Sequence, residues 1–327
     1  MAKINKIAVL TSGGDAPGMN AAVRAVVRAA LFHKLTVYGV EHGYEGMING
    51  ELTELTSPEV RNIIQRGGTF LRSSRSEEFR TKEGRLKAYK NLVTRQIDAL
   101  VVIGGDGTFM GAGLFSQEHD IPCVGIPGTI DNDMYGTDFT IGFDTALNTV
   151  VEAIDRIKDT ASSHDRLFFV EVMGRDAGFI ALQAGIATGA EAILIPEADG
   201  QLERLKEHLT ANAGNKTKAS QIVLVAEGSK VGGAEEVAKI IKDSVKDVSV
   251  RVNILGHIQR GGSPTAFDRF LASRLGVAAV EALLDNQRSI MVGYTNHEVV
   301  HVPFNKTIKG HRNVNTELLH VADILTI

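Results

Sequence analysis

The sequence of 327 residues lacks the features of several classes of protein. Its single cysteine, Cys123, cannot form an internal disulfide, and the apolar residues on either side are typical of a small core position. No apolar run approaches the roughly 18 residues that cross a bilayer, and the run before Asp15 is too short for a signal peptide. Lys and Arg number 35 against 39 Asp and Glu, so no net basic field points to nucleic acid. We therefore expect a cytoplasmic protein that binds neither membrane nor nucleic acid.

The remaining composition is that of an ordinary globular chain with extra glycine. The apolar share of 43% and the charged share of 23% exclude a disordered chain. A chain of this length forms one large or two modest domains. Glycine accounts for 34 residues, against a usual share of about 7%. It falls in short clusters, which indicates loops where the backbone approaches other backbone or a ligand.

Short apolar runs alternate along the chain with stretches of helical periodicity. Most of the runs are continuously apolar, which is typical of parallel strands covered on both faces. Residues 19–30 and 147–157 repeat apolar side chains every three or four positions, as amphipathic helices do. The predicted strands are 6–10, 37–40, 99–103, 123–126, 167–173, 192–195, 221–226 and 250–255.

This alternation predicts the fold class. Strand–helix–strand units have right-handed crossovers and build doubly wound sheets. Eight strands fit two sheets better than one, so we predict an α/β protein with two doubly wound, Rossmann-like domains and mostly parallel sheets. The candidate boundaries are the glycine-rich stretch before Phe143 and the segment 257–263.

Two glycine-rich loops that follow predicted strands are candidate phosphate-binding loops. Residues 11–20, TSGGDAPGMN, precede a helix whose N-terminus would favour an anion, although an ordinary tight turn explains the loop equally well. Residues 104–111, GGDGTFMG, match neither a Walker A loop nor the dinucleotide fingerprint, whose glycine spacing is one residue shorter. Asp106 in this second loop suits a magnesium ion that bridges phosphate oxygens.

Three further loops carry charged side chains after predicted strands. Residues 127–133, PGTIDND, hold two carboxylates beside a threonine, which suits a general base but also an ordinary Asx-turn. In residues 171–178, EVMGRDAG, Arg175 offers a planar fork to a phosphate. Residues 255–264, LGHIQRGGSP, add His257 and Arg260, of which the histidine alone would more often be structural.

Taken together, these segments resemble the bacterial ATP-dependent 6-phosphofructokinases. TSGGDAPGMN, RGGTFL followed by Arg75, GGDGT, PGTIDND, the sequence MGR at 173–175 and LGHIQRGGSPTAFDR occur in the family's order and spacing. The resemblance extends from the N-terminus to about Leu284, and the last forty residues match loosely. GGDGT alone is weakly specific because kinases of sugars, lipids and NAD share it. PGTIDND together with LGHIQRGGSP is highly specific.

The resemblance implies a glycolytic kinase that transfers the γ-phosphoryl group of MgATP to the 1-hydroxyl of fructose 6-phosphate. It makes Asp131 the general base with Thr129 beside it, and it makes Arg175 the transition-state stabiliser. Asp133 belongs to the same catalytic set and would help to arrange the site around the metal. Gly14 and Arg75 belong to the catalytic set as well as to the ATP site. The implied ATP-binding residues are Gly14, Arg75, Ser76, Gly105, Asp106, Gly107 and Thr108, with Asp106 at the Mg²⁺ position.

The resemblance also implies the sugar-phosphate site and the domains. Residues 1–142 with 259–307 would bind ATP, and 143–258 with 308–327 would bind fructose 6-phosphate. Arg166 and Arg251 would serve the site of a neighbouring subunit, so a homotetramer is expected. The implied substrate-binding residues are Thr129, Ile130, Asp131, Arg166, Met173, Gly174, Arg175, Glu227, Arg251, His257, Ile258, Gln259 and Arg260.

Particular residues of the sequence disfavour four alternative functions. A pyrophosphate-dependent relative would have Asp and Lys where this chain has Gly107 and Gly128, so ATP is favoured as the donor. An NAD or lipid kinase would leave PGTIDND and LGHIQRGGSP unexplained. A catalytically silent sugar-phosphate sensor is disfavoured because Asp106, Asp131 and Arg175 are all present. A dehydrogenase fails on the glycine spacing.

An allosteric site is expected from the resemblance only in weakened form. Regulated relatives bind ADP or phosphoenolpyruvate at a basic site between subunits, but here Ser57 replaces an Arg and Asn62 a common Asp. Loss of a bidentate donor removes an anchor for phosphate. We therefore expect phosphate binding that couples weakly to catalysis. The implied effector residues are Arg24, Arg28, Lys158, Gly189, Glu191, Lys216 and Lys218.

Overall fold

The computed structural model describes residues 4–161, 166–211, 221–245 and 248–325. These residues divide into two compact units, each assembled from separate stretches of the chain. In the described ranges no helix is both long and apolar enough to cross a membrane. The first unit comprises Met1–Ile130, Met134–Thr145 and Arg260–Arg312, and the second comprises Asp131–Asp133, Ala146–Gln259 and Asn313–Ile327.

Strands and helices alternate through most of the described chain, and the expected α/β fold class is confirmed. The strands are β1 Lys6–Thr11, β2 Thr36–Val40, β3 Leu52–Glu54, β4 Ala99–Gly104, β5 Cys123–Pro127, β6 Leu167–Val172, β7 Ala192–Leu194, β8 Gln221–Ala226, β9 Val250–Ile254, β10 Ile290–Thr295 and β11 Glu298–Pro303. The helices are α1 Met19–Phe32, α2 Gly43–Asn49, α3 Lys82–Thr94, α4 Asp106–His119, α5 Phe143–Ala161, α6 Phe179–Thr188, α7 Gln201–Ala211, α8 Ala234–Ser244, α9 Ala266–Leu284, α10 Phe304–Lys309 and α11 Glu317–Leu325, with short 3₁₀ turns at Glu78–Arg80 and Gly256–Arg260.

The first unit contains a seven-stranded sheet in the order β11-β10-β5-β4-β1-β2-β3. Its five central strands are parallel, and antiparallel partners β3 and β11 lie at the two edges. All six residues of β4 are buried, as expected of a central strand covered on both faces. The carboxyl ends of β1 and β4 are neighbours in this sheet, so the loops that follow them meet at one edge.

The second unit contains a four-stranded parallel sheet in the order β7-β8-β6-β9. The loops after β6 and β8 therefore lie side by side, and β9 forms an exposed edge next to β6. On one face, α7 and α8 cover the sheet with buried Leu205, Leu209, Val237 and Ile241. The sheet thus places the MGR loop next to the start of the loop at Glu227.

The eight predicted strands are confirmed, with ends that differ by at most one residue. Three strands were not predicted: β3, β10 and β11. In β3 only the first of three residues is buried, so it carries little hydrophobic pattern. The pair β10 and β11 is an antiparallel hairpin with a two-residue connection, whereas the expected pattern alternates each strand with a helix.

Helices α1 and α9 pack closely in the first unit. A Cβ atom added at Gly276 would lie 2.5 Å from the Cβ of Ala25. Small residues on both helices therefore bring the two backbones together. Helix α1 itself begins after Gly18, whose φ of 104° a side chain rarely adopts. The turn at Gly18 directs α1 away from the carboxyl end of β1.

A buried carboxylate, Asp268 of α9, holds the start of α5. Asp268 is fully buried. Its carboxylate accepts the N–H of Gly142 at 2.8 Å, the N–H of Thr145 at 2.8 Å and the Thr145 hydroxyl at 2.5 Å. Burial raises the pKa of Asp268 to about 6, against the opposing effect of these hydrogen bonds. One side chain thus satisfies two backbone donors at the N-terminus of a second helix.

Replacing this carboxylate with a methyl group should destabilise the first unit. Asp268→Ala leaves three donors without an acceptor in a buried place, which costs roughly 3 kcal/mol. We expect a melting temperature lower by about 5–10 °C in differential scanning calorimetry. The matched control is Asp285→Ala, an exposed carboxylate just past the end of the same helix. Equal melting temperatures for both variants would contradict the assigned role.

Candidate active site

The loop after β1 contains a glycine pair in which Gly13 is half-buried and Gly14 is exposed. The N–H of Ser12 donates to the carbonyl of Ile103 at 3.0 Å, which fixes the loop to the end of β4. Gly13 has a φ of 85°, a conformation that suits glycine, and Gly14 is exposed. The residues between β1 and α1 therefore place an exposed glycine close to a helix N-terminus, a location that favours an anion.

The loop after β4 packs tightly on the first loop at one point and is open at two others. A Cβ atom at Gly104 would overlap the Thr108 hydroxyl and lie 2.5 Å from the carbonyl oxygen of Ser12. The Thr108 hydroxyl donates to that same carbonyl at 3.2 Å. At Gly105 and Gly107, by contrast, an added Cβ would meet nothing within 4 Å. The open glycines leave space for a ligand above the start of α4.

Asp106 is the first residue of α4 and the expected metal ligand. Its carboxylate accepts the N–H of Gly107 at 2.8 Å, and the residue is half-buried. Among the described residues, no three His, Cys, Asp or Glu side chains come together as a metal cluster. A single carboxylate fits Mg²⁺, which takes its remaining ligands from phosphate oxygens and water.

The segment that carries Arg75 and Ser76 lies against the first loop. The hydroxyl of Ser73 donates to the carbonyl of Gly13, and the hydroxyl of Ser76 donates to Glu45 at 2.5 Å. Arg75 itself is exposed. The structure therefore brings Gly14, Arg75 and the loop after β4 to one edge of the sheet of the first unit.

Sequence reasoning missed two residues that fix these loops. The Tyr44 hydroxyl donates to the carbonyl of Thr108 at 2.5 Å, and its ring stacks on Phe79 with centroids 4.0 Å apart. The Thr11 hydroxyl donates to the carbonyl of Arg72 at 2.6 Å. Tyr44 lies in no motif, and Thr11 is the first residue of the motif TSGGDAPGMN, but only the tertiary structure shows which carbonyl each hydroxyl contacts.

The third loop, after β5, is held by backbone bonds of the first unit up to Ile130. The N–H of Gly128 donates to the carbonyl of Gly104 at 3.0 Å. The Thr140 hydroxyl donates to the carbonyl of Thr129 at 2.6 Å. Ile130 is fully buried, so its side chain anchors the loop rather than facing a substrate.

Asp131 and Asp133 follow directly and belong to the second unit. The side chain of Asp131 is 8% exposed, whereas Asp133 is half-buried. Asn132 between them is fully buried with a φ of 54°. Asparagine is one of the few residue types that adopt this left-handed conformation at low cost.

The MGR loop of the second unit is held by Glu227. One oxygen of this carboxylate accepts the N–H of Gly174 at 3.2 Å and the N–H of Arg175 at 2.7 Å. Gly174 has a φ of 146° and Arg175 a φ of 56°, so the turn is tight and left-handed. A Cβ at Gly228 would overlap the carbonyl oxygen of Arg175. The Arg175 side chain is exposed, while its backbone is fixed from two sides.

Gln259 lies in the 3₁₀ turn after β9 and is fully buried. Its amide oxygen accepts the N–H of Met173 at 3.1 Å, and its amide nitrogen donates to the carbonyl of Gly256 at 3.0 Å. The oxygen and the nitrogen of the Gln259 side-chain amide thus each form a hydrogen bond to the protein backbone. His257 and Ile258 on the same turn are exposed.

The remaining expected sugar-phosphate residues occupy different places. Arg166 is half-buried just before β6, and Arg251 is exposed on the edge strand β9. Arg260 belongs to the first unit, where its guanidinium donates to the carbonyl of Asp15 at 3.2 Å. A Cβ atom at Gly14 would lie 2.5 Å from the same guanidinium, so the Arg260 side chain would have to shift to admit a larger residue there.

The expected effector residues of the first unit lie on α1. Arg24 is half-buried and Arg28 is exposed. Burial, and second the nearby charge of Arg28, lowers the pKa of Arg24. The two guanidinium groups therefore concentrate positive charge on one face of the helix.

The other expected effector residues lie in the second unit. The Lys158 ammonium donates to the carbonyl of Thr188, and Gly189 ends α6 in a left-handed conformation. Glu191 lies 3.5 Å from His208 in the wall of a cavity of about 450 Å³. Lys216 and Lys218 lie outside the described residues.

Two glycine-rich loops at neighbouring carboxyl ends of parallel strands define an α/β protein of the phosphate-binding class. A family model described as phosphofructokinase matches residues 6–283. The ATP-dependent 6-phosphofructokinase 2 of Bacteroides thetaiotaomicron is 56% identical over 327 residues, with 100% of both chains covered. The ATP-dependent 6-phosphofructokinase 1 of Thermus thermophilus is 54% identical over 99% of this chain and 100% of that one.

A comparison with solved structures points to the same family as the sequence relatives. The crystal structure of Pichia pastoris phosphofructokinase has a TM-score of 0.86 and 40% identity, and it covers 99% of this chain. This chain spans only 37% of the longer Pichia chain. The chain belongs to the phosphofructokinase family. The expected family and enzyme class are therefore confirmed.

Proposed function

We propose that this protein transfers the γ-phosphoryl group of MgATP to the 1-hydroxyl of fructose 6-phosphate, giving fructose 1,6-bisphosphate and ADP. The observation that carries the proposal is the pair of phosphate loops of the first unit, joined at Ser12 and Thr108 and open at Gly105 and Gly107. Relatives at more than half identity over the full chain bear the name ATP-dependent 6-phosphofructokinase, which supports the same activity.

The nucleotide is proposed to bind the first unit. Gly14, Gly105, Gly107 and Thr108 offer backbone and hydroxyl donors to its phosphates, and Arg75 adds a guanidinium. Asp106 would hold Mg²⁺ together with phosphate oxygens, and the ion would neutralise charge on the leaving ADP. Ser76 is proposed to support Arg75 from the next position.

The sugar is proposed to bind mainly groups of the second unit, although Arg260 of this set belongs to the first unit. Met173, Gly174 and Glu227 would hold the sugar ring, and His257 and Arg260 would bind the 6-phosphate, with Arg166 and Arg251 supplied by a neighbouring subunit of a homotetramer. We assign Ile130 and Gln259 positioning roles because both side chains are fully buried. Ile258 is exposed on the same turn as His257. A glycolytic role also implies the cytoplasm, where both substrates are found.

The chemistry needs a base and a cation. The carboxylate of Asp131 takes the proton of the 1-hydroxyl as that oxygen forms its bond to the γ-phosphorus, and the bond to the bridging oxygen of ADP breaks. Arg175 donates to the equatorial oxygens as they gain charge. Thr129 and Asp133 position the base from either side of it along the chain.

Removing the base should reduce turnover far more than sugar binding, because the proton moves only in the transition state. We expect Asp131→Ala to lower kcat by about 10²–10⁴-fold, with a much smaller change in KM for fructose 6-phosphate. Steady-state assays at saturating substrates measure this. The control is Asp199→Ala, an exposed carboxylate of the same unit. Near-normal turnover of the Asp131 variant would show that the base is another group.

The donor is testable at Gly107, an exposed glycine with open space where a side chain fits without repacking. Gly128 is a poorer site for this test of ATP against pyrophosphate. A Cβ there would lie 3.1 Å from the Met19 side chain, so a substitution would also disturb packing. We expect Gly107→Asp to raise KM for MgATP at least about tenfold, since a carboxylate would face the nucleotide phosphates. Gly107→Ala, which adds volume without charge, should change it little.

Both variants and the unaltered protein should be assayed with MgATP and with pyrophosphate. Higher activity with pyrophosphate in the unaltered protein would replace our proposal with the pyrophosphate-dependent activity. Binding of fructose 6-phosphate without turnover on either donor would indicate a sugar-phosphate sensor.

Effector control is proposed to be weak. Arg24 and Arg28 attract phosphate, but the missing Arg at Ser57 removes a bidentate donor from the expected site. Coupling is the difference in effector affinity between two states, so fewer anchors reduce it. We expect fructose 6-phosphate saturation curves to change by less than about threefold in half-saturation with phosphoenolpyruvate or ADP. Strong sigmoidal inhibition by phosphoenolpyruvate that ADP relieves would refute this.

A further inference from the structure

Three side chains of the first unit form a continuous chain of polar contacts: Glu51, His42 and Arg72. The Nδ1 atom of His42 lies 2.7 Å from the Oε2 atom of Glu51. A terminal guanidinium nitrogen of Arg72 lies 3.3 Å from the Nε2 atom of His42. No motif in the sequence points to any of the three.

The chemistry of the partners fixes the direction of these hydrogen bonds. A guanidinium can only donate, so Nε2 of His42 accepts from Arg72 and the imidazole proton lies on Nδ1. Nδ1 then donates to Glu51, and this hydrogen bond lowers the pKa of the Glu51 carboxyl. The anionic Glu51 orients the imidazole, and the imidazole orients the guanidinium.

This chain of contacts stands beside the phosphate loop after β1. The carbonyl of Arg72 accepts the Thr11 hydroxyl at 2.6 Å, and the hydroxyl of the next residue donates to the carbonyl of Gly13. A Cβ atom at Gly43, directly after His42, would lie 2.7 Å from the carbonyl oxygen of Thr11. The backbones that carry Arg72 and His42 therefore both lie against the loop 11–14.

The backbone at these positions does not favour the side chains found there. Arg72 has a φ of 59° and His42 a φ of 56°, in the left-handed region where glycine and asparagine are the unstrained choices. The Arg72 side chain is nevertheless exposed and packs no core, and the side chain of His42 remains 37% exposed. Core packing therefore does not account for either residue.

We propose that Arg72 is a further nucleotide-binding residue, whose guanidinium contacts a phosphate group of the donor beside the loop 11–14. Glu51 and His42 are positioning residues that hold the guanidinium in direction. An arginine held in this way has already lost much of its rotamer freedom, so phosphate binding orders less of the side chain. The inference rests on the proposed use of MgATP by the first unit.

The decisive variant is Arg72→Gly, because glycine suits the left-handed backbone and the variant should fold at least as well as the unaltered protein. We expect KM for MgATP to rise about fivefold or more, with kcat and KM for fructose 6-phosphate within about twofold. The matched control is Lys34→Gly. Lys34 is also exposed, basic and left-handed, with a φ of 61°, but it lies just after the end of α1. The Lys34→Gly variant should leave kcat, KM for MgATP and KM for fructose 6-phosphate unchanged.

The positioning role of Glu51 is tested by the KM for MgATP in a single and a double variant. Glu51→Gln keeps a hydrogen-bond acceptor but removes the charge, and we expect it to raise KM for MgATP about two- to threefold. In the Arg72→Gly background the same change should have no further effect, because its only route to the nucleotide is then absent. Additive effects of the two substitutions would overturn the role of Glu51 as a positioning residue.

Equilibrium dialysis with MgADP separates this inference from the proposed function. Weaker MgADP binding by Arg72→Gly, with Lys34→Gly unchanged, supports a direct phosphate contact. Turnover with MgATP in the unaltered protein, together with normal KM and MgADP binding in Arg72→Gly, overturns the inference and leaves the proposed function standing. Absence of turnover with MgATP in the unaltered protein overturns the proposed function and, with it, this inference.

Discussion

The contact between the loops after β1 and β4 is the constraint on which the rest of the first unit depends. At Gly104 the backbone passes so close to Ser12 that no side chain fits, and the Thr108 hydroxyl closes the contact with a hydrogen bond of 3.2 Å. The parallel pairing of the two strands brings the loops together, and the hydrogen bond fixes their separation. Donors held in this way need no reorganisation when a phosphate binds, which is the condition for strong electrostatic stabilisation.

The second unit holds its functional loop by a different device. One carboxylate oxygen of Glu227 accepts hydrogen bonds from two backbone N–H groups, those of Gly174 and Arg175. A charged acceptor makes these bonds stronger than neutral ones, so it can hold a non-glycine residue in a left-handed turn. Gln259 secures the start of the same loop from the neighbouring 3₁₀ turn. The backbone of Arg175 is therefore fixed, while its side chain is exposed and lies 3.7 Å from the carboxylate of Asp176.

The sequence was sufficient for the elements whose signal is local. Short apolar runs predicted the eight strands, and most of these runs are continuous because strands buried on both faces need no polar alternation. It was not sufficient for β10 and β11, whose hairpin interrupts the alternation of strands and helices. Motifs likewise predicted Asp106 and Arg175 as site residues, because both stand in glycine-rich loops. They could not reveal Tyr44, because its hydrogen bond to Thr108 joins residues that are 64 positions apart.

The three glycines at the end of β4 and the start of α4 are of two kinds. One is required by the packing of the fold, and the other two are not. Gly104 is closed on all sides by the chain itself, so its identity is set by packing. Gly105 and Gly107 have nothing within 4 Å of an added Cβ, so packing imposes no small residue there. Gly107 lies in the first turn of α4, where a residue of better helix propensity would stabilise the helix, and Gly105 is the N-cap of α4. Under the proposed function, the absence of side chains at these two positions leaves room for the nucleotide phosphates to approach the backbone, at a place where packing does not require glycine.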